Sequence, residues 1–351
     1  IPFTQCLLLS IADGGINDSD GSINGVVTDP GAIVMDSFFE LNTQKTLTQP
    51  SSSPGAGAVS IGFILLLLLS ISFRAQGEIE QQVLLSAMVG TDDNVSRAEN
   101  KVDIISDRFA NIDARIITDY EISFNKSLSL ELQVGHQAYQ FTKQLERNEY
   151  SGRLVYRWQN NFSYNSPWYQ IFSDIKIWDS EAQQRNSTFY TQQAMVSARL
   201  TTKISGSIGL EHKVRDSESR VFDLTQSRAF AHLDYAWSDG FSLYASYSYI
   251  KGDTVSTVQN QYCNGLVATS VYPLLLVAKD IEWDEVFNND YCGNWISYRL
   301  EALTQSFVVG ANYGFDHTSS LDLSWLYVDV QAEGGNDYQR NIIQLNFLKA
   351  F

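Results

Sequence analysis

The stretch "SLSLELQVGHQAYQF", Ser127 to Phe141, decides how this chain is read. Leu128, Leu130, Leu132, Val134 and Ala138 fall on one parity, and Ser129, Glu131, Gln133 and Gln137 on the other. Successive side chains of a strand point to opposite faces, whereas a helix groups residues three and four apart. The segment is therefore a strand with one greasy and one wet face. Working outward, "FSLYASYSYI" sets Phe241, Leu243, Ala245, Tyr247 and Tyr249 against Ser242, Tyr244, Ser246 and Ser248. "SLDLSWLY" aligns Leu321, Leu323, Trp325 and Tyr327, and "NIIQLNF" aligns Ile343, Leu345 and Phe347.

Twelve such runs follow one another, near 81–90, 110–124, 127–141, 149–162, 168–178, 189–202, 206–215, 227–237, 240–251, 297–315, 320–331 and 339–351. Their connections alternate. Short turns ("NKS", "SYNSP", "ISG", "SDG", "DHTS") take turns with long polar segments, the longest from about Gly252 to Trp295. An even number of amphipathic strands with all long loops at one end predicts an antiparallel up-and-down transmembrane β-barrel. A soluble sandwich has no reason to sort its loops in this way. Aromatics make up 13% of the 351 residues, and mean hydropathy is only −0.17, which excludes a bundle of apolar helices. Girdles are expected from Tyr120, Phe124, Phe162, Tyr164, Trp168, Tyr235, Trp237, Phe241 and Phe315 at the short-turn end. Tyr139, Phe141, Trp178, Tyr249, Trp295 and Tyr327 are expected at the loop end.

The last residues, "IIQLNFLKAF", resemble the C-terminal targeting strand of outer-membrane barrels, with Phe351 last and Phe347 and Leu345 in phase. Lys349 departs from that pattern. With the twelve runs, residues 78–351 resemble a bacterial outer-membrane β-barrel, which implies the Gram-negative outer membrane as location. It also implies contact with outer-membrane lipid and lipopolysaccharide and recognition by the barrel assembly machinery.

Ahead of the barrel stand an Asp/Asn/Gly-rich extension, 1–57, and an apolar segment, 58–77, holding "GFILLLLLSISF" (Gly62 to Phe73). That run falls short of the ~20 residues that span a bilayer as a helix but fits a secretion signal. "ADGGINDSDGSINGVVTDPGAIV" (Ala12 to Val34) resembles the end of the choice-of-anchor domains of bacterial surface proteins. "SSSPGAGAVSIGFILLLLLSISFRA" resembles a GlyGly-CTERM sorting tail, although "PGAG" replaces the glycine pair and Arg74 alone supplies the basic cluster. Two readings stand for 1–77: a surface-protein tail joined to an exported barrel that uses the same apolar run as its signal, or an uncleaved anchor. "NDSDGS" (Asn17 to Ser22) lacks the closing Glu of a calcium loop and reads as an Asx-rich turn.

The wet face is charged. Asp113, Arg115, Asp119, Glu121, Glu131, Arg153, Arg157, Asp174, Lys176, Arg199, Glu211, Lys213, Arg215 and Asp234 all take the inward phase. In so narrow a ring, opposite charges should pair, either as a stiffening network or as a constriction that selects small solutes. The net charge of −16 excludes nucleic acid as a partner. The three cysteines form no metal or redox motif. Cys263 and Cys292 share the longest loop, and export would join them in a disulfide, with Cys6 left over.

Twelve-stranded outer-membrane phospholipases carry Ser–His–Asn on the outer wall. His136 and His212 fall on lipid-facing phases, but neither has a Ser in a comparable motif, and His317 lies in a short turn. Protease-type barrels pair rim carboxylates with a histidine, yet Asp216 and Glu218 sit in one acidic loop among many. An enzyme is not expected, nor any cofactor or metal. The expected function is a monomeric, narrow, porin-like channel for small hydrophilic solutes. The alternatives are a closed accessory barrel for surface-polymer export or surface-protein display and, less favoured, an outer-membrane hydrolase.

Overall fold

The computed structural model describes residues 79–351 apart from Phe162 and Gly335. The extension, the apolar segment, the anchor and sorting-tail resemblances, Cys6, "NDSDGS" and Phe162 of the girdle lie outside the described residues.

The described strands are β1 (Ile79–Asp92), β2 (Asp107–Ser123), β3 (Lys126–Tyr139), β4 (Arg147–Gln159), β5 (Trp168–Ser180), β6 (Ser187–Arg199), β7 (Ile204–Ser217), β8 (Leu224–Ser238), β9 (Phe241–Gln261), β10 (Asp280–Trp283), β11 (Asn294–Asp316), β12 (Ser319–Ala332) and β13 (Asp337–Ala350). Leaving β10 aside, each pairs antiparallel with its chain neighbours, and β1 pairs with β13 from Leu84↔Ala350 to Asp92↔Ile342. The result is a closed antiparallel barrel of twelve strands. Phe351 helps to seal the seam: its amide donates to the Val83 carbonyl at 2.8 Å.

Closure matters because hydrocarbon offers no partner to a bare strand edge, so only a closed sheet can stand in lipid. The outward phase meets that solvent. Ile112 (68% exposed), Leu210 (67%), Ile208, Leu323, Phe347 and Leu345 belong to an outward apolar band. In water such a band would be penalised at roughly 25 cal/mol per Å². The chain is therefore an outer-membrane barrel, crossing with strands. No described helix is long and apolar enough to cross.

The inside is sealed at the loop end and partly wetted at the other. Near the loop end the inward residues Asp92, Asp107, Gln137, Arg147, Trp178, Arg215 and Arg340 are buried. Near the short turns Asp119, Arg157, Gln170, Ser197 and Ser207 are only half-buried. Elsewhere around that end Ser127, Ser129, Gln159, Ser242, Ser320 and Leu348 stay buried, so the wetting is confined to part of the wall.

Two expectations need correction. The segment from Gly252 to Trp295 is not one loop: β9 continues to Gln261 and β11 begins at Asn294, with Asn294 paired to Gln261. β8 stops pairing at Gln226↔Gly252, so the β9–β11 hairpin stands beyond the rim, with β10 flanking β11 there. Asp253 to Gln259 are all buried, so polar Ser and Thr serve a strand covered on both faces. The girdle is also thinner at the loop end. Phe124, Tyr164, Trp237 and Phe315 are exposed at the short-turn end, as are Phe141 and Tyr249 at the other. Tyr139 and Trp178, however, fall on the inward parity, and Trp295 is buried above the rim. A strand-end aromatic meets the interface only when its parity points outward.

Gly252 is the hinge of the hairpin. Its φ is +145°, and a Cβ there would stand 2.1 Å from the Thr225 carbonyl oxygen. Gly252→Val should loosen the hairpin while leaving the barrel closed. Limited proteolysis should cut near 262–293 faster than in wild type, and the gel shift between boiled and unboiled protein should persist.

Candidate functional site

The hairpin tip carries a cap over the mouth. After β9 a 3₁₀ turn (Thr269–Val271) leads into α1 (Tyr272–Val277), then β10, then α2 (Glu285–Asp290), then β11. Cys263 and Cys292, with Cα atoms 5.3 Å apart, are joined by a disulfide that encloses this segment in one ring. α2 starts at Asp284 because its carboxylate accepts the Phe287 amide at 3.2 Å, a helix N-cap. Asp284 is fully buried. It also accepts Ser297 Oγ at 2.8 Å and Thr257 Oγ1 at 3.3 Å, and lies 3.6 Å from Arg185 on the β5–β6 connection.

Apolar packing completes the seal. Val286 and Phe287 are fully buried in one cluster with Leu145, Ala182, Val221 and Phe222, which come from three different outer loops. Polar ties join the same loops to the cap: Thr142 to Tyr291 at 3.0 Å, Gln144 to Asn289 at 3.0 Å, and Ser219 to Glu282. Lys279 bridges Asp253 and Glu301, each at 2.6 Å. The β1–β2 loop closes the remaining side. Ser96 accepts the Thr257 amide at 3.0 Å, and Asp103 accepts the Gln259 amide at 3.3 Å. Burial pushes the Asp103 carboxyl up to about 6 against these hydrogen bonds.

Beneath the cap lie the charges. Glu131 stands between Arg153 at 3.8 Å and Arg115 at 4.0 Å, and Arg153 continues to Asp174 at 3.4 Å. Lys176 meets Glu149 at 3.5 Å, and Glu149 meets Arg147 at 2.8 Å. Asp113 accepts Ser86, Asp119 accepts Ser129, and Arg157 reaches Gln170 at 2.7 Å. Glu211 pairs with Arg228 at 3.3 Å and Asp234 with His232 at 2.9 Å. Arg215 is set in an aromatic box of Trp178, Phe189 and Phe222, each ring 5.1–5.2 Å away, and Lys213 lies 4.9 Å over Phe189. Glu121 and Arg199 lie apart, at the short-turn end, with Arg199 over the Tyr164 ring at 5.7 Å.

These charges occupy the wall from β2 to β8. The wall from β9 to β13 mixes hydroxyls and amides, among them Ser242, Ser248, Thr304, Ser306, Ser324 and Asn346, with buried apolar side chains such as Ile250, Val308, Leu326, Val328, Val330 and Ile342. Its charges include Asp322, which accepts Tyr244 Oη at 2.9 Å, and Arg340, bonded through Nε at 2.8 and 2.9 Å to Asp92 on the adjoining β1.

Several of these residues escaped the sequence reading. Arg147, Glu149, Arg228, Arg340 and Asp92 share the inward parity of their runs and could have been found by extending it. Asp284 was marked by "DEVF", a capping residue and an acid ahead of apolar residues. Arg185 carries no local signal. As for the histidines, His136 Nδ1 lies 3.0 Å from Asn148 Oδ1 and His212 Nδ1 lies 3.2 Å from Ser227 Oγ, both on the lipid side. Among the described residues no group of three or more His, Cys, Asp or Glu is placed to hold a metal.

No family model matches the chain, and no curated protein matches it. Among solved structures it is similar to an outer membrane channel from Pseudomonas putida F1, at 11% identity and a TM-score of 0.48 over 80% of this chain and 98% of that one. It is similar to the KdgM porin in complex with disordered oligogalacturonate at 9% identity, TM-score 0.36, over 76% and 99%. The NanC porin is similar at 8% identity, TM-score 0.37, over 76% and 98%. None of these likenesses assigns a residue or a ligand to this chain.

Two outcomes follow from the cap. Asp284→Ala leaves Arg185 buried without its carboxylate, a loss of about 3–5 kcal/mol in cap stability. Hydrogen exchange at 285–290 should accelerate while the barrel strands stay protected. The Asp103 carboxyl is raised in the capped form, so the capped form holds its proton more tightly. Cap protection should therefore be greatest at acid pH and fall as pH rises through about 6. Asp103→Asn should flatten that fall at the Gln259 amide.

Proposed function

We propose that this protein is a gated narrow channel that passes small hydrophilic solutes when the cap lifts. The carrying observation is the charged inner wall, which runs from the half-exposed periplasmic end up to the underside of a cap built from a single ring of chain. Ionised side chains at closely spaced levels suit a hydrated path, because each can exchange a protein partner for a solute or a water. Side chains of a twelve-stranded barrel leave room for small solutes only. Passage through such a path involves no cofactor and no bond making, and the monomer suffices because the lumen belongs to one chain.

The sealed mouth favours a second reading, a closed accessory barrel whose outer face serves surface-polymer export or surface-protein display. Planar bilayers separate the two. For the channel, wild type should show rare, brief conductance steps. Reducing Cys263–Cys292 removes about 3 kcal/mol of constraint, and reduction or Asp284→Ala should raise the open fraction at least tenfold. If folded, reduced Asp284→Ala barrels conduct nothing, the channel reading is lost and the closed barrel stands.

A further inference from the structure

We propose that the outer wall between β3 and β9 is a binding groove for one acylated, phosphate-bearing lipid of the outer leaflet. A cleft of about 850 Å³ lies on this wall, within the ~300–1,000 Å³ of ordinary ligand clefts. Its lining follows the outward phase of seven consecutive strands, from Leu128 on β3 to Lys251 on β9. The inward-phase residues in that lining, Phe172, Gln193, Glu211 and Arg228, each lie between two outward ones in sequence, so the cleft opens to lipid and not to the lumen. The outside of a barrel is ordinarily convex. Here the small residues Ser173, Ala194, Ser227 and Ala229 alternate with Ile171 and Leu210 along the register, and Tyr156 and Tyr249 flank that row.

The groove is amphipathic along its length. Leu154 and Leu210 lie midway along β4 and β7, within the hydrocarbon, and Leu128 marks the far, short-turn end of the lining. Ser227 is the fourth residue of β8, and Lys251 directly precedes Gly252, where β8 and β9 part, so this end lies at the outer rim. There the register sets His212 beside Ser227 and Ser227 beside Lys251. His212 and Ser227 are hydrogen-bonded at 3.2 Å. Glu301, the carboxylate whose field Lys251 feels, is itself held by Lys279 at 2.6 Å. The row thus offers an ammonium, a hydroxyl and an imidazole to the headgroup level. Polar groups on a lipid-facing wall are destabilising unless matched, and phosphate oxygens match these three. The next row towards the short turns, Ile171, Ala194, Leu210 and Ala229, takes the acyl chain.

The test uses the whole barrel, delipidated in non-ionic detergent and titrated with phosphatidylglycerol, with retained lipid counted by native mass spectrometry. One lipid per barrel is expected. Ala194→Trp and Ala229→Trp, which fill the cleft, should each cut retention at least tenfold, whereas Ala110→Trp on β2, outside the cleft, should leave it unchanged. Lys251→Glu should cut phosphatidylglycerol retention at least tenfold and leave that of uncharged dioleoylglycerol as it was. The boiled-versus-unboiled gel shift checks that each variant is folded. Retention indifferent to Ala194→Trp, or equal for the charged and uncharged lipids in wild type, overturns the proposal. So does a dimer that disappears when the cleft is filled, which would assign the groove to a second copy.

Discussion

The structure depends on one constraint: a main-chain amide or carbonyl in hydrocarbon must find its partner within the sheet. That requirement makes the β1–β13 seam as necessary as any strand, because a sheet left open by one ladder would expose a whole edge to lipid. It also dictates where irregular chain is tolerated. Among the described residues the bulges, helices and turns lie at the two rims or above the outer one, where water or other loops satisfy them. The alternation of Leu128, Leu130 and Leu132 with Ser129 and Glu131 is the same constraint written in side chains.

How legible the fold was follows from this. Parity survives any detail of packing, so strand number, facing and the inward placement of residues such as Arg153 and Lys176 could be read directly. Height along a strand carries no information about facing, and the girdle reading failed at Tyr139 and Trp178 for that reason: both sit at strand ends but point inward. The cap was opaque on different grounds. Asp253 to Gln259 look like a polar loop because a strand covered on both faces by loops, rather than by lipid and lumen, loses its two-residue signature. Nor can a one-dimensional pattern reveal that Arg185 and Asp284, 99 positions apart in number, share one buried contact.

The electrostatics of the interior divide by depth. Close to the outer mouth, charges are taken fully from water and are held by a carboxylate or by aromatic rings, as Arg340 is by Asp92 and Arg215 is by Trp178, Phe189 and Phe222. An uncompensated charge at that depth would be costly, so removing one partner of the upper network is strongly destabilising. Towards the periplasm, Asp119, Arg157 and Gln170 are half-buried and are held by neutral partners or one another, Asp119 by Ser129 and Arg157 by Gln170 at 2.7 Å. One wall thus grades from fully buried charges to partly wetted ones within a single barrel.

The unequal walls have a consequence for how the mouth is supported. From β2 to β8 neighbouring strands are cross-braced by ionic contacts as well as by their ladders. From β9 to β13 the side chains of Val308, Leu326, Val328, Val330 and Ile342 belong to the same apolar cluster as Val286 and Phe287. The hairpin that bears the disulfide ring is rooted on that second side, on β9 and β11. Barrel and cap therefore share one continuous interior there, as an arch shares stone with its pier.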